Sequence, residues 1–186
     1  MPQPTASKGE MNMQNRTLRQ LTAAGVIAAA YAALSLVLAT ITFGPVQCRI
    51  SEALTLLPVI SPAAIWGVTL GCAVTNGVGA ATGTNFLGLV DLPVGTAATL
   101  LAAVATRLLG KIRFGGLPWL SALPPILFNA VAIGGEWCYA MTGSINGAFW
   151  VFAGQIALGQ LPPCLLGVWL IHLLERRGLQ NIIEGK

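Results

Sequence analysis

Hydrophobic positions in this chain come in long unbroken runs, not in the alternation of a half-buried strand. Residues 21–43 hold 23 positions without a charge, 53–90 hold 38, 114–135 hold 22 and 137–174 hold 38. A helix rising 1.5 Å per residue needs ~20 apolar residues to cross a ~30 Å hydrocarbon core. Each 38-residue run is too long for one crossing and suits two. Clear spans are predicted over residues 21–42, 89–109, 116–140 and 148–174, the last ended by Glu175, Arg176 and Arg177. The turn before it, residues 142–147, has loop composition. The run after the first 20 residues is too long for a signal-peptide core and lacks a cleavage site, so it reads as the first span. The polar residues before it read as disordered up to Asn12.

Residues 53–81 are ambiguous. As one helix they would measure roughly 43 Å, too long without a steep tilt. Pro58 and Pro62 fall inside, and proline breaks or kinks a helix. Two shorter helices, 50–60 and 62–81, are the alternative. Basic residues flanking spans stay cytoplasmic, and this decides the count. With six spans, Lys8, Arg16, Arg19, Arg107, Lys111, Arg113, Arg176, Arg177 and Lys186 share the inner side, leaving only Arg49 outside. With five, the six from Arg107 onward would oppose the N-terminal three. The expectation is an all-α polytopic membrane protein of six transmembrane helices with both termini cytoplasmic. Residues 1–20 and 176–186 are expected to form cytoplasmic tails around one six-helix transmembrane unit, 21–175.

Composition agrees with this and excludes other classes. Of 186 residues, 55% are hydrophobic and 9% charged, against about 25% charged in a soluble domain. Disorder needs the opposite balance. The acids then sort with the bases. Glu10, Glu175 and Glu184 lie inside, whereas Glu52, Asp91 and Glu136 all sit at outer helix ends beside Arg49.

Ionisable groups at membrane depth are costly and so nominate a site. Arg49, Glu52, Asp91 and Glu136 qualify, with the amides Gln47, Asn76, Asn85, Asn129 and Gln155 in the same outer half. Paired headgroup charges are the simpler account of any one of them; a polar pocket opening outward accounts better for the whole set. Three carboxylates against one arginine favour a ligand rich in N–H donors or positively charged. A carboxylate takes two parallel hydrogen bonds from a guanine-like edge. Trp137 and Tyr139, with Phe149 and Trp150 opposite, could supply stacking faces, although an interfacial belt accounts better for Trp150.

The first span has another character. Ala24, Ala28 and Ala32 repeat every four residues, as do Ala29 and Ala33. Such spacing lets helices approach closely in lipid, either for internal packing or as a docking face for another membrane helix. The four cysteines form no CxxC pair and read as small core residues. His172 and Glu175 share a helix face but do not make a metal site, and no metal or cofactor is expected. Gly110-Lys111 and Gly185-Lys186 lack the glycine five residues earlier that a phosphate loop requires, so no ATP hydrolysis by this chain is expected. No basic aromatic patch points to nucleic acid, and no nucleophile–base pair points to an enzyme.

Three segments carry a resemblance. Residues 46–58 read VQCRISEALTLLP, 62–76 read PAAIWGVTLGCAVTN and 89–103 read LVDLPVGTAATLLAA. Together they resemble the QueT family, the substrate-binding S components of energy-coupling factor transporters for queuosine precursors. The resemblance implies a six-helix bundle in a bacterial cell membrane, binding substrate near the outer surface under the loop between spans one and two. That loop carries Gln47 and Arg49, with Glu52 just after it. The implied substrates are the deazaguanine bases queuine, preQ1 and preQ0. The implied partners are a membrane coupling subunit, docked through the first-span alanines, and two cytoplasmic ATPases. Competing readings are an S component for a vitamin or tryptophan-like solute and a stand-alone proton-coupled transporter. The latter usually holds its acids at the midplane, not at helix ends.

Overall fold

Every regular element is helical in the computed structural model, which describes residues 8–44 and 46–178. Helix α1 runs Lys8–Val37, α2 Ala39–Thr42, the 3-10 helix η1 Ile50–Val59, α3 Ala63–Thr82, α4 Asp91–Leu109, α5 Leu123–Thr142 and α6 Phe149–Arg176. Short 3-10 turns, η2 Gly88–Val90 and η3 Trp119–Ala122, lead into α4 and α5. No strand occurs among the described residues; one isolated bridge joins Phe114 and Leu117. Residues 1–7 and 179–186 of the two expected tails, with Glu184 and Lys186, lie outside the described residues.

Four helical segments have the length and apolarity to cross a membrane: Met13–Val37, Ala63–Thr82, Gly88–Leu109 and Phe149–Arg176. Their outward faces are apolar. Trp66, Leu101, Leu158 and Trp169 are each more than half exposed, while Arg49, Glu52 and Asp91 are 2% exposed or less. Water would reverse that distribution; lipid favours it. The protein is a membrane protein on this pattern.

The boundaries depart from expectation in four places. α1 begins at Lys8, so the segment read as disordered to Asn12 is already helical from there. The first span is broken at Leu38, after which α2 makes a single turn. The span expected from residue 116 starts at Leu123, with Pro124 and Pro125 in its first turn, where their missing N–H groups cost nothing. The short helix after Arg49 is 3-10 in type. At ~2.0 Å per residue it reaches ~20 Å, farther than ten α-helical residues would.

η1 is the axis of the bundle, packed among α1, α3, α4 and α6. Its Leu56 and Leu57 join Tyr31, Val68, Cys72, Cys164, Val168 and Ile171 in the main core. Two glycines bring α3 against α1. A Cβ on Gly67 would strike Ile27 and the Ala24 carbonyl, and one on Gly71 would strike Tyr31 and the Ala28 carbonyl. Small residues on both helices permit this contact. Ala28 and Ala32 are buried, so the Ala24–Ala28–Ala32 stripe faces the chain's own α3. Ala29 and Ala33 are exposed.

The two ends of the bundle differ. Arg107, at the end of α4, donates to the Pro58 carbonyl at the end of η1 at 2.9 Å. Arg113 binds Glu175 at the end of α6. The start of α4 instead meets the start of η1 through Arg49 and Asp91. Nineteen α-helical residues separate these ends by about 27 Å.

Candidate functional site

The site is built from the segment that enters η1. A Cβ on Gly159 of α6 would overlap the Val46 carbonyl, and one on Gly167 would strike the Ala53 carbonyl. Only glycine lets this backbone lie against α6. Gln47 sits there with φ of +45°, a left-handed conformation that costs a non-glycine residue of order 1–3 kcal/mol and tends to occur at functional sites. Its side chain is buried, and neither amide atom has a partner. The chain is extended at Arg49 and then coils, so Arg49 and Glu52 both face the interior.

Arg49 Nη2 binds Asp91 Oδ2 at 3.1 Å, and its guanidinium lies 5.4 Å from the Phe43 ring centre. Asn85 Nδ2 donates to the same Asp91 oxygen at 2.7 Å. Asn76 Nδ2 donates to the Asp91 backbone carbonyl at 2.9 Å. A side chain on Gly95, one turn along α4, would collide with Asp91 and Asn76. On the other side of Arg49, the Tyr31 hydroxyl donates to Glu52 Oε1 at 2.7 Å. Thr55 Oγ1 caps the Glu52 carbonyl at 2.6 Å. Each carboxylate makes its close hydrogen bonds through one oxygen, leaving Glu52 Oε2 and Asp91 Oδ1 buried without one; the Asn129 amide faces Glu52 from α5.

The same condition extends around them. Among the described residues, Arg49 Nε, Asn76 Oδ1, Asn129 Nδ2, Gln160 Oε1, Trp137 Nε1 and both Glu136 oxygens are buried with no partner in the protein. Native structures leave only a few such groups per hundred residues, and each calls for an explanation. Thr96 Oγ1 on α4 and Ser121 Oγ at the opposite end are unpartnered as well, but most of these atoms lie towards the Arg49–Asp91 end of the bundle, which also holds a stacked column of Phe86, Trp137 and Phe152. Ring centres in it are 5.1 and 6.4 Å apart. Glu136 also borders a cavity of about 290 Å3 with Leu87, Val90, Gly135, Tyr139, Ala140 and Ile145. A family model described as QueT transporter matches residues 21–176.

The chain belongs to the QueT transporter family. No curated protein and no solved structure matches it.

In this QueT chain the ten residues nominated from sequence are not equivalent. Gln47, Arg49, Glu52, Asn76, Asp91, Asn129, Glu136 and Trp137 each carry a buried polar atom without a partner. Asn85 is buried too, but its amide is consumed by Asp91 and by the Leu87 N–H, so it is a positioning residue. Gln155 is only half-buried. The expected stacking partners are replaced. Trp150 is 77% exposed and Tyr139 63%, and Phe149 packs edge-on against Trp150, while Phe86 and Phe152 face Trp137. Gln160 and Tyr31 were not foreseen. Gln160 Nε2 reaches the Gln47 carbonyl at 3.5 Å. Its adjacency to Gly159 and to Pro162-Pro163 was the available signal, since a buried amide beside small and helix-perturbing residues marks an inward helix face. Glu175 turns to Arg113, not to His172.

Proposed function

We propose that this protein is the substrate-binding S component of an energy-coupling factor importer and captures a deazaguanine queuosine precursor, preferring cationic preQ1. Six crossings place the Arg49–Asp91 end outside and both termini in the cytoplasm of a bacterium. Four come from the long apolar helices; α5 and the short η1 supply the other two. A shared membrane coupling subunit and two cytoplasmic ATPases then drive release to the inside.

The observation that carries this reading is the set of partnerless atoms. Gln47 Oε1, Glu52 Oε2, Asn76 Oδ1, Asp91 Oδ1, Gln160 Oε1 and the Glu136 carboxyl offer acceptor oxygens; Gln47 Nε2, Arg49 Nε, Asn129 Nδ2 and Trp137 Nε1 donate. Acceptors prevail, which suits a ligand with more N–H groups than carbonyls. A deazaguanine presents N1–H and an exocyclic amine to one carboxylate and a carbonyl and ring nitrogen to the amides. The aminomethyl cation of preQ1 suits a second carboxylate, for which the nitrile of preQ0 has no use. The flat Trp137 column suits a planar base.

Isothermal titration of the purified protein tests this. Binding of preQ1 at least tenfold tighter than preQ0 is expected, with queuine between or equal. Equal affinity for preQ0 and preQ1 would remove the charge argument, and no binding of any deazaguanine would remove the substrate class. A proton-coupled carrier is separated by uptake into vesicles, which then needs neither partner subunits nor ATP.

For docking, Ala29 and Ala33 are the exposed members of the α1 alanine set. Ala33→Trp is expected to leave preQ1 affinity unchanged and to abolish ATP-driven uptake in the assembled transporter. Uptake at the unsubstituted rate would move the docking face elsewhere.

A further inference from the structure

The bundle end opposite the polar cluster holds a second concave site. Arg107, Lys111 and Arg113 line a cavity of about 410 Å3 together with Val59, Leu108 and Gly110. The absence of a side chain at Gly110 lets α4 end against Val59, where even a methyl group would press on both valine methyls. Two of the cations are fixed in place. Arg107 Nη1 donates to the Pro58 carbonyl at 2.9 Å. Arg113 Nε donates to the Gly110 carbonyl at 3.1 Å, and its two terminal nitrogens hold the Glu175 carboxylate at 2.7 Å each.

Glu175 therefore neutralises Arg113, and Arg107 and Lys111 leave a surplus of positive charge at the rim. Lys111 is exposed and has no partner among the described residues. The wall beside these cations is apolar and faces outward, with Leu108 69% exposed and Ile112 43%. Apolar surface running into a cationic rim at the end of a membrane-length helix matches the cross-section of a phospholipid at the interface. Basic pockets between transmembrane helices bind phosphorylated headgroups.

We propose that this cavity binds the headgroup phosphate of an anionic phospholipid. Lys111 and Arg107 meet the phosphate, and Leu108 and Val59 meet the upper acyl chain. Inorganic phosphate shares the charged contact but not the apolar one, so the two sources separate experimentally.

The test is native mass spectrometry of the full chain in detergent, titrated with phosphatidylglycerol, phosphatidylcholine and inorganic phosphate. Phosphatidylglycerol is expected to bind at least tenfold more tightly than phosphatidylcholine, with millimolar phosphate displacing it only partly. Lys111→Gln is expected to weaken phosphatidylglycerol about fivefold, the factor equivalent to ~1 kcal/mol per surface cation. Lys111 supports nothing in the fold, so this variant remains informative if Arg107→Gln fails to fold. Arg16→Gln, an exposed cation on α1, is the control and leaves binding unchanged.

Equal binding of the two lipids overturns the proposal, as does indifference to Lys111→Gln. Full displacement by phosphate at equimolar concentration would make this a soluble-anion site instead. Lipid binding untouched by Lys111→Gln, with assembly onto the coupling subunit lost, would make it a protein-docking face.

Discussion

Among the described residues there are two arginine–carboxylate pairs, one at each end of the bundle, and they are built in opposite ways. Arg113–Glu175 is bidentate, 2.7 Å on both bonds, with side chains 31% and 24% exposed. Arg49–Asp91 has a single 3.1 Å contact and is 3% and 0% exposed. The better geometry belongs to the pair that gains least from it, because water and salt screen exposed charges. The buried pair carries the larger desolvation cost, yet leaves Arg49 Nε and Asp91 Oδ1 without partners. A pair selected for stability would use those atoms. The exposed pair is a clasp between the α4–α5 connection and α6; the buried pair holds two charges ready for a third party.

Substitutions can break that contrast. The largest effect is expected from Arg49→Met, which strands the buried Asp91 carboxylate. Stability should fall by ~3–5 kcal/mol, read as a lowered unfolding midpoint in detergent. A loss below ~1 kcal/mol, the range of an exposed pair, would erase the distinction. Glu52→Gln comes next. It keeps the shape and the Tyr31 bond but removes charge, so preQ1 affinity should fall by ~1.5–3 kcal/mol while the midpoint stays nearly constant. A midpoint drop with affinity intact would make Glu52 structural. The smallest effect is expected from Glu175→Gln. It should cost ~0–1 kcal/mol, less still at high salt, and leave ligand affinity alone. A larger loss would mean that the clasp holds the bundle closed.

Much of this was legible in the sequence, and the gaps have physical causes. Charge-free run lengths predict an all-helical membrane protein, and four of its helices have the length and apolarity to cross a bilayer, because lipid tolerates few charged exceptions. The polar cluster was legible for the same reason. Eight of the ten nominated residues carry a partnerless buried atom. Side-chain facing was not legible. A four-residue alanine period is satisfied equally by the chain's own α3 or by another protein, and only Gly67 and Gly71, on a different helix, decide it. The Phe86–Trp137–Phe152 column joins three separate elements, so local spacing holds no trace of it. Helix type also escaped, since a short apolar run carries no period that separates a 3-10 helix from an α-helix.

That 3-10 axis has a consequence for how the chain tolerates length changes. With three residues per turn, side chains three apart eclipse, and Glu52, Thr55 and Pro58 form one buried file. One inserted residue would turn everything beyond it by about 120° and set Glu52 and the Arg107 acceptor on different edges. Three inserted residues would preserve the file but lengthen the rod by about 6 Å, pulling one end out of register. Outer loops can grow or shrink; this ten-residue segment is a ruler between the two ends, and its length is part of its meaning.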